Sequence, residues 1–95
     1  MGTWDFRGRL RRWPGAAAWY FVALPDEVAD DVRSRRERVG FGSVRVRVTL
    51  GATTWGTSVF PDSASGSYLL PVKAAVRRAE DLDDGSEVRV RLELA

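Results

Sequence analysis

Residues 68–92 read YLLPVKAAVRRAEDLDDGSEVRVRL, and the reading of this stretch decides the fold. Tyr68, Leu69 and Leu70 make a short apolar strand. Pro71 or Val72 then starts a helix, because the first helical N–H has no intrahelical partner and proline lacks that N–H. Val72, Ala75, Val76 and Ala79 recur at the i, i+3, i+4, i+7 spacing of one helix face, and Leu82 extends that stripe. Lys73, Arg77, Arg78 and Glu80 lie off it. Asp83-Asp84-Gly85 turns the chain into a last strand, where Val88, Val90, Leu92 and Leu94 alternate with Arg89, Arg91 and Glu93. Period two places the apolar set on one face and the charged set on the other.

Residues 19–50 repeat this grammar. Leu24-Pro25 answers Leu70-Pro71, Gly42-Ser43 answers Gly85-Ser86, and Val44-Arg45-Val46-Arg47-Val48 answers Val88-Arg89-Val90-Arg91-Leu92. Such self-similarity predicts two copies of one supersecondary unit. Behind Pro25, Asp26 and Glu27 put negative charge at the positive end of a helix dipole, and Val28 and Val32 face the core one turn apart. Arg33, Arg35, Arg36 and Arg38 crowd the other end, where cations are favoured. A solvated helix terminus is the plain reading of that cluster, and an anion or nucleic-acid contact is the sharper one. Gly40-Phe41-Gly42 is a turn; a lone G-x-G without the rest of the fingerprint has no nucleotide meaning.

The remaining segments are strands. In residues 3–13, Trp4, Phe6, Gly8 and Leu10 share one face and Asp5, Arg7, Arg9 and Arg11 the other, before Trp13-Pro14-Gly15 turns the chain. Residues 17–24, AAWYFVAL, form a nearly unbroken apolar run, the pattern of a strand covered on both faces. Gly51-Ala52 leads into a hairpin partner over residues 53–60, and a polar loop follows over residues 61–66. Six short strands and two short helices predict a mainly β fold, a small closed six-stranded barrel with an internal pseudo-repeat, because closure hides sheet edges. The 95 residues are read as one domain, 1–95.

Composition excludes several chemistries. Cysteine and histidine are absent, which removes disulfides, thiol catalysis, Ser-His-Asp triads and the commonest zinc ligands. The chain is 44% hydrophobic and 29% charged, as in a globular protein. The formal charge is only +2, with Lys73 the single lysine among 15 Lys and Arg residues. Arginine's planar fork suits phosphate, although a GC-rich genome explains the same bias. No stretch approaches 18 consecutive apolar residues, so no membrane is crossed by a helix. Residues 1–6 carry Asp5 and no apolar run, so they are not a signal peptide, and the cytoplasm is the expected compartment.

Four constellations could carry chemistry. Lys73 with Ser67 or Ser58 could act as base and nucleophile, but an exposed lysine and a strand hydroxyl explain the same residues. Asp81, Asp83 and Asp84 could bind a divalent cation, or simply line a helix-to-strand turn. Trp4, Trp13, Trp19 and Trp55, with Tyr20 and Tyr68, read first as core. Trp55 beside Gly56 is the best pocket candidate, since glycine permits close approach. Arg7, Arg9 and Arg11, Arg45 and Arg47, and Arg89 and Arg91 would make a phosphate-binding wall if their strands adjoin. The plain reading is a solvated face balanced by Asp5, Glu87 and Glu93.

The run Trp19-Tyr20-Phe21-Val22-Ala23-Leu24-Pro25, then Thr57-Ser58-Val59-Phe60-Pro61, then Gly66-Ser67-Tyr68-Leu69-Leu70-Pro71-Val72-Lys73, with Val76-Arg77-Arg78 and Gly85-Ser86-Glu87-Val88, resembles one uncharacterised bacterial family across nearly the whole chain. It is the domain of unknown function numbered nineteen hundred and five. The resemblance implies a double-split β-barrel, related in shape to AbrB/MazE-like DNA-binding domains. In those, a strand, Pro, helix, Gly-Asp, strand pattern occurs once per chain and two chains complete a barrel. Here both halves lie in one chain, which predicts a monomer, and Ser86 stands where that pattern has an acid. The resemblance implies no activity.

The expected function is a non-catalytic small-ligand or protein-interaction module, not an enzyme and without a cofactor or metal. Its ligand-binding residues are expected to be Trp19, Trp55, Ser58, Lys73 and Arg77. The alternative is nucleic-acid binding through the strand arginines, against which the near balance of charge argues.

Overall fold

The computed structural model describes residues 2–15, 19–35 and 42–95. Expectations for Ala17, Arg36, Arg38, Gly40 and Phe41 fall outside these residues, as does the Arg35 side chain. The order of elements is β1 (Thr3–Arg12), β2 (Tyr20–Ala23), α1 (Asp26–Arg35), β3 (Val44–Leu50), β4 (Thr53–Pro61), β5 (Tyr68–Pro71), α2 (Ala74–Ala79) and β6 (Glu87–Leu94). The strands form a closed barrel in the order β1-β2-β5-β4-β3-β6. Every neighbouring pair is antiparallel.

Alternation builds the core. Val44, Val46, Val48 and Leu50 on β3 and Val88, Val90 and Leu92 on β6 are buried, and the arginines between them are exposed. β6 sits between β1 and β3, pairing Phe6 with Val90 and Val48 with Leu92, so its apolar face meets both neighbours across the barrel wall. Full burial of each such side chain is worth about 1.5–3 kcal/mol, and these three strands carry much of the closed core.

The ring is not equally tight at every joint. β1 and β6 pair from Thr3↔Glu93 to Arg9↔Glu87, whereas β1 and β2 pair only at Leu10, Arg11 and Arg12. β4 and β5 pair only at Phe60 and Pro61. Each loose joint therefore opens into a wedge, and a helix lies against each one. α1 buries Val28, Ala29 and Val32 in the core, and the Trp4 Nε1–H of β1 donates to Asp31 Oδ2 at 2.7 Å. α2 buries Val76, and Thr53 Oγ1–H of β4 donates to Glu80 Oε2 at 2.6 Å.

Three local expectations change. Pro71 does not start α2. It is the last residue of β5, opposite Phe21, and the next residue's amide, Val72 N–H, donates to Tyr20 C=O at 3.0 Å. Strand pairing with β2 therefore holds the chain extended until Lys73, the N-cap of α2. With the helix reduced to Ala74–Ala79, only Val76 of the expected stripe is buried within it; Ala75 and Ala79 face solvent. The apolar run around β2 is not covered on both faces either: Val22 is buried, but Ala23 is exposed and Trp19 is 36% exposed.

Gly8 explains how the β1–β2 joint closes. A Cβ built on Gly8 would collide with Val22 Cγ1, so glycine on β1 is what lets the β2 valine sit against it. Gly8→Ala is expected to destabilise the fold by about 1–3 kcal/mol through overpacking. The measurement is urea denaturation, where the midpoint should fall with little change in slope.

Candidate binding pocket

The second wedge, between β4 and α2, holds a pocket of about 230 Å³. Trp55, Gly56 and Thr57 line it from β4, Trp19 and Tyr20 from the start of β2, and Val72, Lys73, Ala74 and Arg77 from the end of β5 and α2. Strand parity puts Trp55 here. Its β3 partner is Val48, whose side chain is buried in the barrel, so Trp55 points inward and packs partly against the core.

Arg77 is held in position. Its Cζ lies 3.9 Å from the centroid of the Tyr20 ring, a cation–π contact, and its Nη1–H reaches Val72 C=O at 3.4 Å. Among the described residues no carboxylate pairs with Arg77 or Lys73, and none lines the pocket. The site is therefore cationic and aromatic.

Four of the five residues singled out in the sequence, Trp19, Trp55, Lys73 and Arg77, line this one pocket. Ser58 does not. It pairs with Arg45 on the outward parity of β4, so its hydroxyl belongs to the barrel exterior. Gly56 shares that parity, and a Cβ there would meet Arg45 Nη2 at 3.4 Å, but its backbone lines the pocket beside Trp55. Ser67 is 6% exposed and donates to Leu24 C=O at 2.8 Å. Neither serine lines the pocket with Lys73. Tyr20 was not singled out for this site; its signal was the parity of β2, which aligns it with buried Val22.

The acidic cluster resolves into turn chemistry. Asp81 takes φ 54° just after α2, where Leu82 N–H donates back to Arg77 C=O at 2.8 Å, the pattern of a left-handed helix cap. Asp84 Oδ1 accepts Arg12 N–H at 3.0 Å, and Asp83 N–H donates to Ser86 Oγ at 3.0 Å. Among the described residues no group of three acidic side chains converges as metal ligands would.

The strand arginines do share one wall, because β1, β6 and β3 are neighbours. Arg7 faces Arg89 directly, but Asp5 faces Arg91, Arg9 faces Glu87 and Arg47 faces Glu93. Arg91 Nε donates to Asp5 Oδ1 at 3.0 Å. That hydrogen bond, then the charge of Asp5, raises the Arg91 pKa above its ordinary value. Shallow troughs lie on this wall, one lined by Asp5, Phe6, Arg7, Arg89 and Arg91.

A closed six-stranded antiparallel barrel with a helix laid against each loose joint is the class that this geometry defines. Within it, the chain belongs to the family described as Domain of unknown function (DUF1905), which matches residues 6–92. No curated protein matches the chain. Among the described residues, no helix is long and apolar enough to cross a membrane.

The Thr53–Glu80 bond ties the end of α2 to the start of β4. Thr53→Val keeps the side-chain volume and leaves the Glu80 carboxylate without that donor. The expected cost is about 1–2 kcal/mol, read as a lower urea midpoint, with amide shifts in NMR concentrated on α2 and on residues 53–57.

Proposed function

We propose that this barrel is a non-catalytic binding module whose ligand occupies the wedge between β4 and α2. The observation that carries this reading is the lining itself: three aromatic rings, Trp19, Tyr20 and Trp55, and two cations, Lys73 and Arg77, with no acid among the described lining residues. Ligand sites typically combine apolar walls with a few fixed polar groups, and Arg77 is fixed by the Tyr20 ring. Catalysis has less support. Neutral-pH acid–base chemistry without histidine needs a strongly displaced carboxylate or lysine, and the serine candidates lie on the outer wall or in a hydrogen bond to Leu24 C=O.

The second reading is nucleic-acid binding on the arginine wall. The adjacency of β1, β6 and β3 favours it, and the interleaved Asp5, Glu87 and Glu93 weigh against it. We also read the two strand–helix–strand units as copies of one motif. Two copies in one chain let it finish its own barrel, so the protein works as a monomer, and the cytoplasm is its compartment.

A thermal-shift screen tests the first reading, since a ligand that binds only the folded state raises its melting temperature. A hit is expected to lose its shift in Trp55→Ala, with Ser58→Ala behaving as the unmodified chain. Titration with double-stranded DNA at low and high salt tests the second. Weak binding at low salt is expected; tight binding that falls steeply with salt would favour the arginine wall. Light scattering at micromolar concentration should give a mass near 10.6 kDa, and a mass of twice that, persisting on dilution, would mean a dimer.

A further inference from the structure

The charge and shape of the wedge say what its ligand carries. We infer that the pocket between β4 and α2 takes a small planar organic anion, an aromatic carboxylate in which the ring lies between Trp19 and Trp55 and the carboxylate meets Arg77 and Lys73. This inference rests on the pocket reading above and narrows it to a chemical class.

Three observations support it. The first is electrostatic. Lys73 and Arg77 line the same small space, and among the described residues neither is paired with a carboxylate. Elsewhere on the barrel, Arg33 pairs with Asp30 and Arg91 with Asp5. Two cations facing one cavity repel each other there, and a ligand anion relieves that repulsion.

The second is geometric. Stacking of the Arg77 guanidinium on Tyr20 uses one of its faces, and Val72 C=O accepts from one of its N–H groups. A guanidinium has five N–H donors in a planar fork. The donors that remain lie in a plane fixed by the protein, the arrangement that binds a carboxylate through two parallel bonds. Lys73, an exposed residue of the same lining, adds a second cationic donor.

The third is size. The volume of about 230 Å³ falls below the roughly 300–1,000 Å³ typical of drug-sized ligand sites. One or two fused rings bearing a short acidic arm suit it better than a nucleotide. The aromatic walls select a flat body, because rings gain most from stacked or edge-on contact with other rings.

The test uses three probes that share a bicyclic body and differ in charge: indole-3-acetate, neutral indole-3-acetamide and cationic tryptamine. Each is titrated into the ¹⁵N-labelled chain, with the indole N–H signals of Trp19 and Trp55 and the amides of residues 72–77 as readout. Indole-3-acetate is expected to move these signals and to bind at least about tenfold more tightly than the amide, the ratio expected for about 1.4 kcal/mol from one charge-assisted contact. Tryptamine should bind more weakly than either. Arg77→Met and, separately, Lys73→Met should each reduce indole-3-acetate affinity while leaving the amide's affinity unchanged. Lys73 is exposed, so its variant keeps the test valid if Arg77→Met does not fold. Equal binding of acetate and amide at Trp19 and Trp55 would overturn the anion inference and leave the pocket reading standing. Failure of all three probes to move these signals would overturn both. Acetate that shifts only β1 and β6 would assign the anion to the arginine wall and overturn the inference.

Discussion

Backbone hydrogen bonding must close six strands into a ring, and the ring does so unevenly. The run of seven residue pairs between β1 and β6, from Thr3↔Glu93 to Arg9↔Glu87, makes one firm joint; β3 against β4 makes another, from Val44↔Val59 to Leu50↔Thr53. β2 and β5 are only four residues long, so they can tie the remaining strands together over only a short distance. Everything else follows from this shortfall. β1 and β4 run past the reach of their short neighbours, the wall separates there, and α1 and α2 supply the apolar surface that strands do not. The first opening is filled by Phe6, by Val22 seated on Gly8, and by the valines of α1. The second is served by a helix of six residues with one buried side chain, and that small plug leaves space.

The division of the outer surface has the same origin. Along β1, β6 and β3 the outward positions carry arginine with acids set among them, so the wall is solvated and partly self-paired. Along the short strands the outward positions are apolar. Trp13, Trp19 and Phe21 gather there, with ring centroids 5.0–5.6 Å apart. Trp13 is 38% exposed, and Phe60, opposite Leu69 of β5, 45%. Trp19 belongs both to this cluster and to the lining of the pocket, so the apolar surface runs continuously from the exterior into the wedge.

Much of this was legible in the sequence, and the reasons are specific. The Val-Arg alternation of residues 44–48 and 88–92 has one physical solution, a strand with one face in a core, and both are strands in register with β6 at the centre. Pro25 preceded a true helix start at Asp26, with Asp26 and Glu27 in the first turn. Pro71 carries the same local signal yet ends β5, because a proline that ends a strand and one that begins a helix look alike locally. Only the pairing of Pro71 with Phe21 and of Val72 with Tyr20 distinguishes them, and that information lies in residues far away in sequence. The apolar run before Leu24 reads as a doubly covered strand for a related reason: an exposed aromatic cluster has the same composition as a buried strand. Trp19, Trp55, Lys73 and Arg77, which residue type alone puts forward, line one pocket. Only the pairing of Ser58 opposite Arg45 tells that it sits on the outer wall, and the Tyr20–Arg77 contact arises from tertiary packing that no local pattern encodes.

The short run of pairing between β4 and β5 has a consequence for how this protein fails. Over residues 53–58, β4 pairs with β3 on one side, and among the described residues no strand pairs with it on the other. The barrel is thus closed in topology yet carries a short open edge, sheltered by α2 and tied by Thr53 to Glu80. An uncovered edge is a template for another chain. Loss of α2 docking would therefore expose unpaired backbone next to Trp55 while the rest of the ring remained folded. Docking of α2 is what keeps the free side of β4 from serving as a template for strand addition.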